Sequence, residues 1–554
     1  MNKAVRIVSL LLCVLLLFGC SNGINPETTA PENSGAALES AQAVKTEAAL
    51  AEIAKLGASP DDNYRTWYEI FVYSFCDSNG DGIGDLNGIR SKLDYLQELG
   101  INGIWLMPIH PSTTYHKYNV SDYYAIDPAY GTLEDFALLI KECQSRDIHV
   151  ILDLVVNHTG YEHPWFGAAA AYLKSLPAGA EPDSAQCKYL DYYTFSREQK
   201  HGYRIINGTD WYYEAMFSHD MPDLNLGNPQ VREEIKAIMK YWLDKGVSGF
   251  RLDAAKEFYS GKTSMNVEVL SWLQETATSL KEDCYMVAEV WEGYSTIADY
   301  YKSGITSIFN FAFGDANGKI ISVIRGAGQS SVVSTYATAL EKADKAYAEN
   351  NPAYIDAPFL SNHDVGRIAG FCARDVQKTK LAGAMNLFMS GSAFIYYGEE
   401  IGMTGAGNDP SKRAPMYWNT ARDNGTTQPP PGCALPTEYP FGSLETQRND
   451  DDSVYNYYRQ AIAIRQAVPA ISHGRTTAET ALNKGCVSAF RKNWNGEECI
   501  VLMNIASQSA TVDLTGYDAW TLAAQLCTTQ EKVSYSDTTM QLPAYAVAVL
   551  IPKK

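Results

Sequence analysis

Short apolar runs typical of buried strands alternate with amphipathic helices along most of this chain, and this alternation constrains its fold more than any other feature. The helices have recognisable starts: Asn228 precedes Pro229 at one of them, and Thr132 and Asp135 have the spacing of a capping box at another. The eight candidate strands span residues 70–73, 103–107, 150–155, 249–252, 285–288, 307–311, 357–360 and 394–397. Eight strand–helix units predict an α/β fold, a parallel (β/α)8 TIM barrel over residues 64–470.

Two segments depart from this rhythm. The connection between the third and fourth strands is too long for a bare loop, so we expect residues 158–225 to form an inserted subdomain over the barrel mouth. Beyond the last long helix the runs become short and alternating, with a turn at Asn495-Gly496. These features predict a C-terminal antiparallel β-sandwich domain over residues 471–554.

The N-terminus reads as a targeting signal followed by a spacer. Residues 1–20 combine basic side chains with an apolar run too short to span a bilayer, as in a signal peptide. The run ends in Leu-Phe-Gly-Cys20, which resembles the bacterial lipobox and implies lipidation of Cys20. Residues 21–63 contain no aromatic residue and predict a flexible or helical stalk. We expect an extracytoplasmic, membrane-anchored lipoprotein at the cell surface; the alternative is a secreted protein with an ordinary signal peptide.

The net charge limits the possible ligands, and the cysteine positions limit the possible disulfides and metal sites. With 45 Lys plus Arg against 64 Asp plus Glu, the formal net charge is −19, which argues against nucleic-acid binding. We expect a monomer that binds a neutral or small ligand. Cys486 and Cys499 flank a predicted hairpin and are candidates for a disulfide, whereas the other cysteines of the mature chain lack metal-ligand spacing and are expected in the core.

Three acidic residues stand at the downstream ends of apolar strands, where an unpartnered charge would cost several kcal/mol. They end strands four, five and seven, and are Asp253, Glu289 and Asp364. Strand ends of a barrel meet at one mouth, so these carboxylates should converge there. A pair about 5 Å apart suits retaining glycoside hydrolysis, and a third carboxylate can stabilise oxocarbenium charge. Arg251 shares a strand face with Asp253 and would keep it ionised, while His158 and His363 would donate hydrogen bonds to sugar hydroxyls.

Four motifs carry a resemblance to the α-amylase family, glycoside hydrolase family 13. DLVVNH at 153–158, GFRLDAAKE at 249–257, EVW at 289–291 and FLSNHD at 359–364 match the signature regions of that family in order. The resemblance extends from about Trp67 through the C-terminal domain. It implies that Asp253 is the nucleophile, Glu289 the general acid/base and Asp364 the transition-state stabiliser, with Arg251, His158 and His363 lining the sugar site.

The same resemblance implies further sugar contacts. Tyr118 would stack on the sugar at the cleaved bond, Asp409 and Arg413 would bind more distant sugars, and Lys256 would lie on the leaving-group side. Lys117 stands where the family often has Gly, and Glu257 where α-amylases often have His, so the detail of those subsites differs here.

Bond specificity is indicated by two short features. MPDLN at 221–225 resembles a variable family motif in a mixed form that includes bacterial α-amylases, and Ala254 is smaller than the Val typical of α-1,6 specialists. The sequence therefore favours an endo-acting α-amylase that cleaves α-1,4 bonds of starch and maltooligosaccharides. The alternatives are an exo-α-glucosidase, a cyclomaltodextrinase or neopullulanase, a glucan transferase, and, more remotely, a non-catalytic glucan-binding or scaffold protein.

A loop after the first strand has the pattern of a calcium site, with oxygen donors at alternate positions and Gly82 at the sixth. Its twelfth position is Gly88, so the loop is not an EF-hand. The family resemblance implies a bound calcium ion (Ca2+) held by Asp77, Asn79, Asp81, the Ile83 carbonyl and Asp85. The alternative is a solvated acidic turn. Asn157 and Asp223 match ligands of a second calcium site in α-amylases, which stays open.

Overall fold

The computed structural model describes residues 45–177, 179–327, 329–436, 439–536 and 538–553. The predicted signal peptide, Cys20 and most of the predicted stalk therefore lie outside the described residues. Within the described part of the chain, none of the helices combines the length and the hydropathy that a bilayer span requires.

The strands fall into a large parallel sheet and several antiparallel ones. In chain order they are β1 (Thr66–Ile70), β2 (Gly103–Leu106), β3 (His149–Leu154), β4 (Phe195–Ser196), β5 (Tyr203–Ile205), β6 (Tyr212–Glu214), β7 (Gly249–Leu252), β8 (Tyr285–Ala288), β9 (Ser307–Ile308), β10 (Ala393–Tyr396), β11 (Arg475–Ala478), β12 (Val487–Trp494), β13 (Glu497–Asn504), β14 (Ala510–Asp513), β15 (Trp520–Leu526), β16 (Ser534–Tyr535), β17 (Thr539–Leu542) and β18 (Val547–Pro552). The parallel sheet has the order β10-β1-β2-β3-β7-β8-β9.

An extended segment without strand assignment closes this sheet into the predicted (β/α)8 barrel. Phe309 and Ala357 form a parallel bridge on one side of the segment. On its other side the Phe394 amide donates to the Pro358 carbonyl at 2.8 Å. The predicted strand at 357–360 is thus present as extended chain only, because Pro358 has no N–H to donate to a ladder.

The first strand lies four residues upstream of its predicted position at 70–73. It spans Thr66–Ile70, and residues 72–75 are helical instead. The stretch from Thr66 to Phe75 is almost entirely buried, so its apolar pattern carries no periodicity that separates the strand from the turn of helix after it.

The helices surround the barrel. They are α1 (described over residues 45–54), α2 (Val72–Phe75), α3 (Leu86–Arg90), α4 (Leu93–Leu99), α5 (Leu133–Gln144), α6 (Pro164–Ser175), α7 (Pro229–Asp244), α8 (Thr263–Leu280), α9 (Tyr294–Tyr300), α10 (Lys319–Arg325), α11 (Ser330–Val333), α12 (Thr335–Asn350), α13 (Ile368–Phe371), α14 (Val376–Leu387), α15 (Asp409–Lys412), α16 (Leu444–Arg448), α17 (Val454–Ala467) and α18 (Ala470–His473). The Asn228 side chain caps α7, and Thr132 and Asp135 form a complete capping box at α5, which confirms both predicted helix starts.

The barrel interior is packed with large rings. Trp67 stacks between Tyr285 at 5.1 Å and Phe394 at 6.0 Å between ring centroids. Trp105 and Phe309 belong to the same buried cluster. A filled interior leaves the mouth at the C-terminal strand ends as the place for a ligand.

The two additional regions agree with the predicted fold class. Within residues 158–225, β4, β6 and β5 form a small antiparallel sheet beside α6. At the C-terminus, a five-stranded and a three-stranded antiparallel sheet enclose a separate apolar core, as in a β-sandwich. Asn495 and Gly496 both have positive φ, 51° and 85°, as a two-residue type I′ hairpin requires.

The disulfide considered between Cys486 and Cys499 is not formed, and both are free thiols. Cys499 lies near the hairpin turn, opposite Lys492. Cys486 lies at the open end of the hairpin, where its carbonyl accepts from the Ile505 amide. Along β13 six residues separate these positions, about 20 Å at the usual strand rise, which is too far for a disulfide.

The described end of the predicted stalk contacts the barrel. Glu47 in α1 forms a 2.8 Å ion pair with Arg459, and Ile53 is buried in the main core. The Ser59 hydroxyl donates to the Gln466 carbonyl at 3.0 Å. Residues 45–59 are therefore packed on α17, while the domain boundary at residue 63 stays a prediction.

Candidate active site

A cleft of about 760 Å³ opens at the mouth of the barrel. Eight of the predicted catalytic and sugar-binding residues line it: Tyr118, His158, Asp253, Lys256, Glu289, Asp364, Asp409 and Arg413. The other two, Arg251 and His363, lie directly beneath, at 0% and 1% exposure. The structure thus brings all ten together around one cavity.

Arg251 organises the floor of the cleft. Its Nη1 donates to Asp253 Oδ1 at 2.7 Å and to Asp153 Oδ1 at 2.8 Å. Its Nη2 donates to Glu289. Two of the predicted catalytic carboxylates therefore share one guanidinium group, which holds them close together. Asp153 begins the first signature motif and faces Arg251 across β3 and β7, yet sequence reasoning assigned it no role.

Glu289 is harder to ionise than an ordinary glutamate. Burial raises its pKa to about 7, the charges of Asp253 and Asp364 add to this shift, and Arg251 opposes it. The Ala254 amide also donates to Glu289 at 3.3 Å. Ala254 has φ of 48°, a left-handed conformation that is costly for a residue with a Cβ atom. A carboxyl group with a pKa near neutrality is suited to donate a proton and to take one back.

Asp364 is in the opposite state. Burial opposes ionisation, but the charge and hydrogen bond of His363, together with Arg413, lower the pKa of Asp364 below its ordinary value. His363 Nε2 lies 2.9 Å from Oδ2, and Arg413 Nη2 donates to Oδ1 at 2.9 Å. Both oxygens are thus held by cations, and the carboxylate presents a fixed negative charge to the cleft.

Tyr118 and His363 form one stacked unit. Their ring centroids are 5.5 Å apart with an angle of 16° between the planes. The Tyr118 hydroxyl donates to Asp153 Oδ2 at 2.9 Å and lies 2.8 Å from His363 Nε2. The residue before it, Lys117, has φ of 65° and forms a buried 2.6 Å ion pair with Asp127. Gly adopts such a left-handed conformation at lower cost than Lys.

Glu69 is a site residue that sequence reasoning missed. It lies on β1 with its Oε1 only 2.6 Å from His363 Nδ1. Both side chains are almost completely buried. The signal was present in the sequence, since Glu69 is the one acidic residue in an otherwise uncharged, fully buried strand.

His158 offers a hydrogen-bond donor to the cleft. Burial lowers the pKa of its imidazole, so the ring is neutral. Its Nδ1 lies 3.3 Å from the Asn157 amide nitrogen, and its buried Nε2 lacks a hydrogen-bond partner among the described residues. A proton on Nε2 satisfies this arrangement and leaves one N–H for a ligand.

Three further charged side chains line the cleft, namely Arg413, Asp409 and Lys256. Arg413 donates to the Tyr115 hydroxyl at 3.0 Å as well as to Asp364, so it contacts one of the predicted catalytic carboxylates directly. Asp409 is exposed at the start of α15. Lys256 also lines the cleft and forms a partly exposed 2.8 Å ion pair with Glu292.

Two exposed rings on the cleft wall were also missed. Phe217 and Trp291 are 49% and 43% exposed. Trp291 directly follows the EV pair of its motif, and its ring stacks on Phe311 at 4.9 Å between centroids. Flat apolar surfaces of this size beside polar groups suit the faces of sugar rings.

The predicted calcium loop is a series of Asx turns. Asp77 Oδ1 accepts from the Gly80 amide at 2.7 Å, Asn79 Oδ1 from Asp81, and Asp81 Oδ1 from Ile83. Asp85 caps α3 through the Gly88 amide at 2.7 Å. The donor set consists of oxygens, which fits the preference of calcium. Among the described residues, however, no three His, Cys, Asp or Glu side chains are grouped closely enough to hold a metal ion.

Asn157 and Asp223, the two residues considered for a second calcium site, are hydrogen-bonded to each other. The Asn157 amide donates to Asp223 Oδ1 at 3.3 Å. Burial raises the pKa of Asp223 to about 7, and the negative charges of Glu214 and Glu257 add to the shift.

Comparison with known proteins adds independent findings. The chain matches the sequence model of the family described as "Alpha amylase, catalytic domain" over residues 69–474. It is 40% identical to Alpha-amylase 3 of Dictyoglomus thermophilum over 79% of this chain and 84% of that protein. It is 30% identical to a glucan 1,6-alpha-glucosidase of Streptococcus pneumoniae over 72% of this chain and 83% of that protein. The solved structure of Eubacterium rectale Amy13B superposes with a TM-score of 0.88 at 46% identity, covering 91% of this chain and 98% of the other.

Proposed function

The chain belongs to the α-amylase family and is a glycosidase. We propose that it is an endo-acting α-amylase, which cleaves α-1,4-glucosidic bonds of starch and maltooligosaccharides with retention. The observation that carries this proposal is the carboxylate pair on Arg251. Asp253 and Glu289 share that guanidinium group, while Asp364 faces the same cleft with its own cations.

In the proposed double displacement, Asp253 attacks the anomeric carbon as the bond to the leaving oxygen breaks. Glu289 gives its proton to that oxygen, and the leaving chain departs. A water molecule then passes a proton to Glu289 and attacks the glycosyl ester, which restores Asp253. Asp364 stabilises the positive charge that develops on the sugar in both steps. Tyr118 provides a face for that sugar, and His158 and Arg413 hold polar groups around it.

The protonation states support these roles. Arg251 donates to Asp253 at 2.7 Å and favours its ionised, nucleophilic form. The pKa of Glu289, about 7, suits a group that must donate a proton and later take one back.

Bond specificity is the finer part of the proposal. The α-amylase of Dictyoglomus thermophilum and the small Ala254 side chain support α-1,4 cleavage. The glucan 1,6-alpha-glucosidase relative keeps α-1,6 cleavage as the second candidate. Exo-attack, cyclomaltodextrinase or neopullulanase activity and glucan transfer use the same chemistry with different outer contacts.

Digestion of long amylose, followed by chromatography at early times, tests the proposal. Endo attack releases a mixture of maltooligosaccharides before much glucose appears. Release of glucose or maltose alone from the start, or faster cleavage of isomaltooligosaccharides than of maltooligosaccharides, would overturn it. The α anomer should appear first in the products, since retention is expected.

We also propose that the 77–85 loop binds Ca2+, with ligands from Asp77, Asn79, Asp81, the Ile83 carbonyl and Asp85. Alternating oxygen donors and the positive φ of Gly80 and Gly82 support it. Bound calcium should raise the melting temperature, and exhaustive chelation should lower it. The variant Asp81→Asn serves as the control, because it should lose the response to calcium. An unchanged melting temperature after chelation would argue against the site.

The predicted anchor supports a location at the cell surface, with a lipid on Cys20 and residues 21–44 as spacer. Fractionation of cells that express the wild type and Cys20→Ala tests this. The wild type should stay with membranes and the variant should not, whereas equal distribution would favour a secreted enzyme. Light scattering on the soluble form should give the mass of a monomer.

A further inference from the structure

We propose that Glu69 is a positioning residue, which fixes the charge and orientation of His363 and thereby the carboxylate of Asp364. This inference rests on the proposed role of Asp364 in glycoside cleavage. It assigns a function to a residue on β1, far in sequence from the motifs that carry the chemistry.

Glu69 and His363 form a buried pair that links opposite parts of the chain. Glu69 Oε1 lies 2.6 Å from His363 Nδ1, and the side chains are 2% and 1% exposed. A buried carboxylate without a cation costs several kcal/mol. Burial raises the pKa of Glu69, and the charge and hydrogen bond of the His363 imidazole oppose that rise.

The other ring nitrogen of His363 also faces acceptors. Its Nε2 lies 2.9 Å from Asp364 Oδ2 and 2.8 Å from the Tyr118 hydroxyl. Tyr118 donates its own hydrogen to Asp153, so its oxygen accepts from His363. With acceptors at both nitrogens, the imidazole donates at both and carries a positive charge.

Some of the surrounding charges favour the protonated form of His363 and others oppose it. Asp153 on β3 and Glu289 at the end of β8 also favour the charged imidazole. Arg251 on β7 and Arg413 after α15 oppose it, and Arg413 Nε donates to the His363 carbonyl at 3.1 Å.

The neighbouring His116 is neutral, since burial and the Arg413 charge lower its pKa to about 4. Of the carboxylates, Glu69 alone contacts Nδ1 in the described part of the chain. Burial is outweighed by Asp364 and Glu69, which together raise the pKa of His363 to about 9.

Glu69 therefore acts through His363. Without its charge, the imidazole would lose a proton at lower pH, and Asp364 would keep Arg413 as its only direct cation. The variant would then lose stabilisation of the oxocarbenium-like transition state at a lower pH than the wild type does. A purely structural carboxylate would instead affect activity equally at every pH.

The test is the pH dependence of kcat/KM for α-maltosyl fluoride in the wild type and in Glu69→Gln. Fluoride departs without a proton, so the titration of Glu289 does not set the alkaline limb. We expect that limb near pH 9 in the wild type, at the pKa of His363. Gln keeps the hydrogen bond but removes the charge, so the limb should move down by about one pH unit or more.

Glu400→Gln is the matched control, since Glu400 is equally buried but accepts from the Tyr68 and Tyr95 hydroxyls. Its alkaline limb should stay in place. NMR titration of labelled histidine, with His363→Gln for assignment, should show the same downward shift of the His363 pKa in Glu69→Gln. Lower activity at every pH with an unmoved limb, or an unchanged His363 pKa, would overturn the inference. A wild type inactive on α-glucans would overturn the proposed function instead, while the NMR titration would still test the pair.

Discussion

Two groups of carboxylates follow strands of the barrel, in different chemical surroundings. The side chains of the first group are 11–31% exposed to the cleft, whereas those of the second are almost completely buried. The first group, formed by Asp253, Glu289 and Asp364, contacts the cations Arg251, His363 and Arg413. The second group is Glu399 and Glu400, whose described partners are hydroxyls of Ser361 and three tyrosines. Both groups follow barrel strands, since Glu399 and Glu400 come just after β10.

The difference lies in protonation. Burial raises the pKa of Glu399 to about 8 and that of Glu400 to about 7, and hydroxyl donors lower it only in part. In the first group, His363 and Arg413 keep Asp364 ionised in spite of burial. Position at a strand end therefore identifies a candidate, but a buried cation beside the carboxylate separates a group prepared for catalysis from one that holds packing.

The largest effect should follow from replacing the proposed nucleophile. Asp253→Asn preserves shape and still accepts a hydrogen bond from Arg251, but it cannot form the glycosyl ester. We expect kcat on maltooligosaccharides to fall by at least about 10⁴-fold. Steady-state kinetics and thermal unfolding should show this loss with little change in stability, because Arg251 retains Asp153 and Glu289 as partners.

The same kinetics on Glu400→Gln test whether the two groups of carboxylates differ in function. Glu400 does not line the cleft, so its activity at pH 6 should stay within a few-fold of the wild type. A loss comparable to that of Asp253→Asn would mean that the hydroxyl-bound group also takes part in the chemistry. Unimpaired activity of Asp253→Asn would contradict the assignment of the first group.

Removal of the shared cation should have the next largest effect. Arg251→Met leaves three buried carboxylates without their common partner, and the free energy of unfolding should fall by about 3–5 kcal/mol. The loss should grow as pH rises, because the folded-state pKa values of those carboxylates would be raised and their ionised forms disfavoured. Urea unfolding at pH 5 and pH 8 measures the loss of stability and its dependence on pH. A loss that is the same at the two pH values would contradict this account.

Glu400→Gln should have a smaller effect of opposite sign on stability. The folded-state pKa of Glu400 is raised from 4.5 to about 7, so its stabilising contribution is complete below about pH 4.5 and is lost as pH rises through 7. Gln does not ionise, so at pH 8 the variant should be more stable than the wild type by up to about 3 kcal/mol. At pH 4.5 or below the two should be equal within error. Equal stability at both pH values would show that Glu400 is ionised without penalty.

Much of this architecture could be predicted from the sequence, because strands, caps and motifs leave local patterns. The Asn228 cap and the Thr132–Asp135 box occur as expected. The position of β1 could not be predicted, since a continuous buried run has no periodicity. The loss of pairing at Pro358 was readable in principle, because proline cannot donate to a ladder.

The candidate site likewise contains residues that the sequence predicts and residues that it does not. Residues within signature motifs could be assigned a place, and the structure gathers them around one cleft. Glu69 could not be paired with His363 from sequence, because 294 residues separate them and the contact depends on closure of the barrel. Phe217 gave no signal, since an exposed ring acquires meaning from the cavity it faces. Trp291 belongs to the EVW motif, but only the structure shows that its ring lines the cleft.

The smallest effect should come from a charge pair that is neither buried nor catalytic. Lys256 and Glu292 are 38% and 35% exposed, so solvent screens their 2.8 Å contact. Lys256→Met should change the free energy of unfolding by no more than about 1 kcal/mol. Lys256 lines the cleft and is predicted to contact the leaving group, so KM for long maltooligosaccharides should rise modestly while kcat stays nearly constant. Glu292→Gln is the control, since it removes the pair but leaves Lys256 free to contact sugar. A stability loss as large as that of Arg251→Met would show that exposure does not separate the two kinds of ion pair.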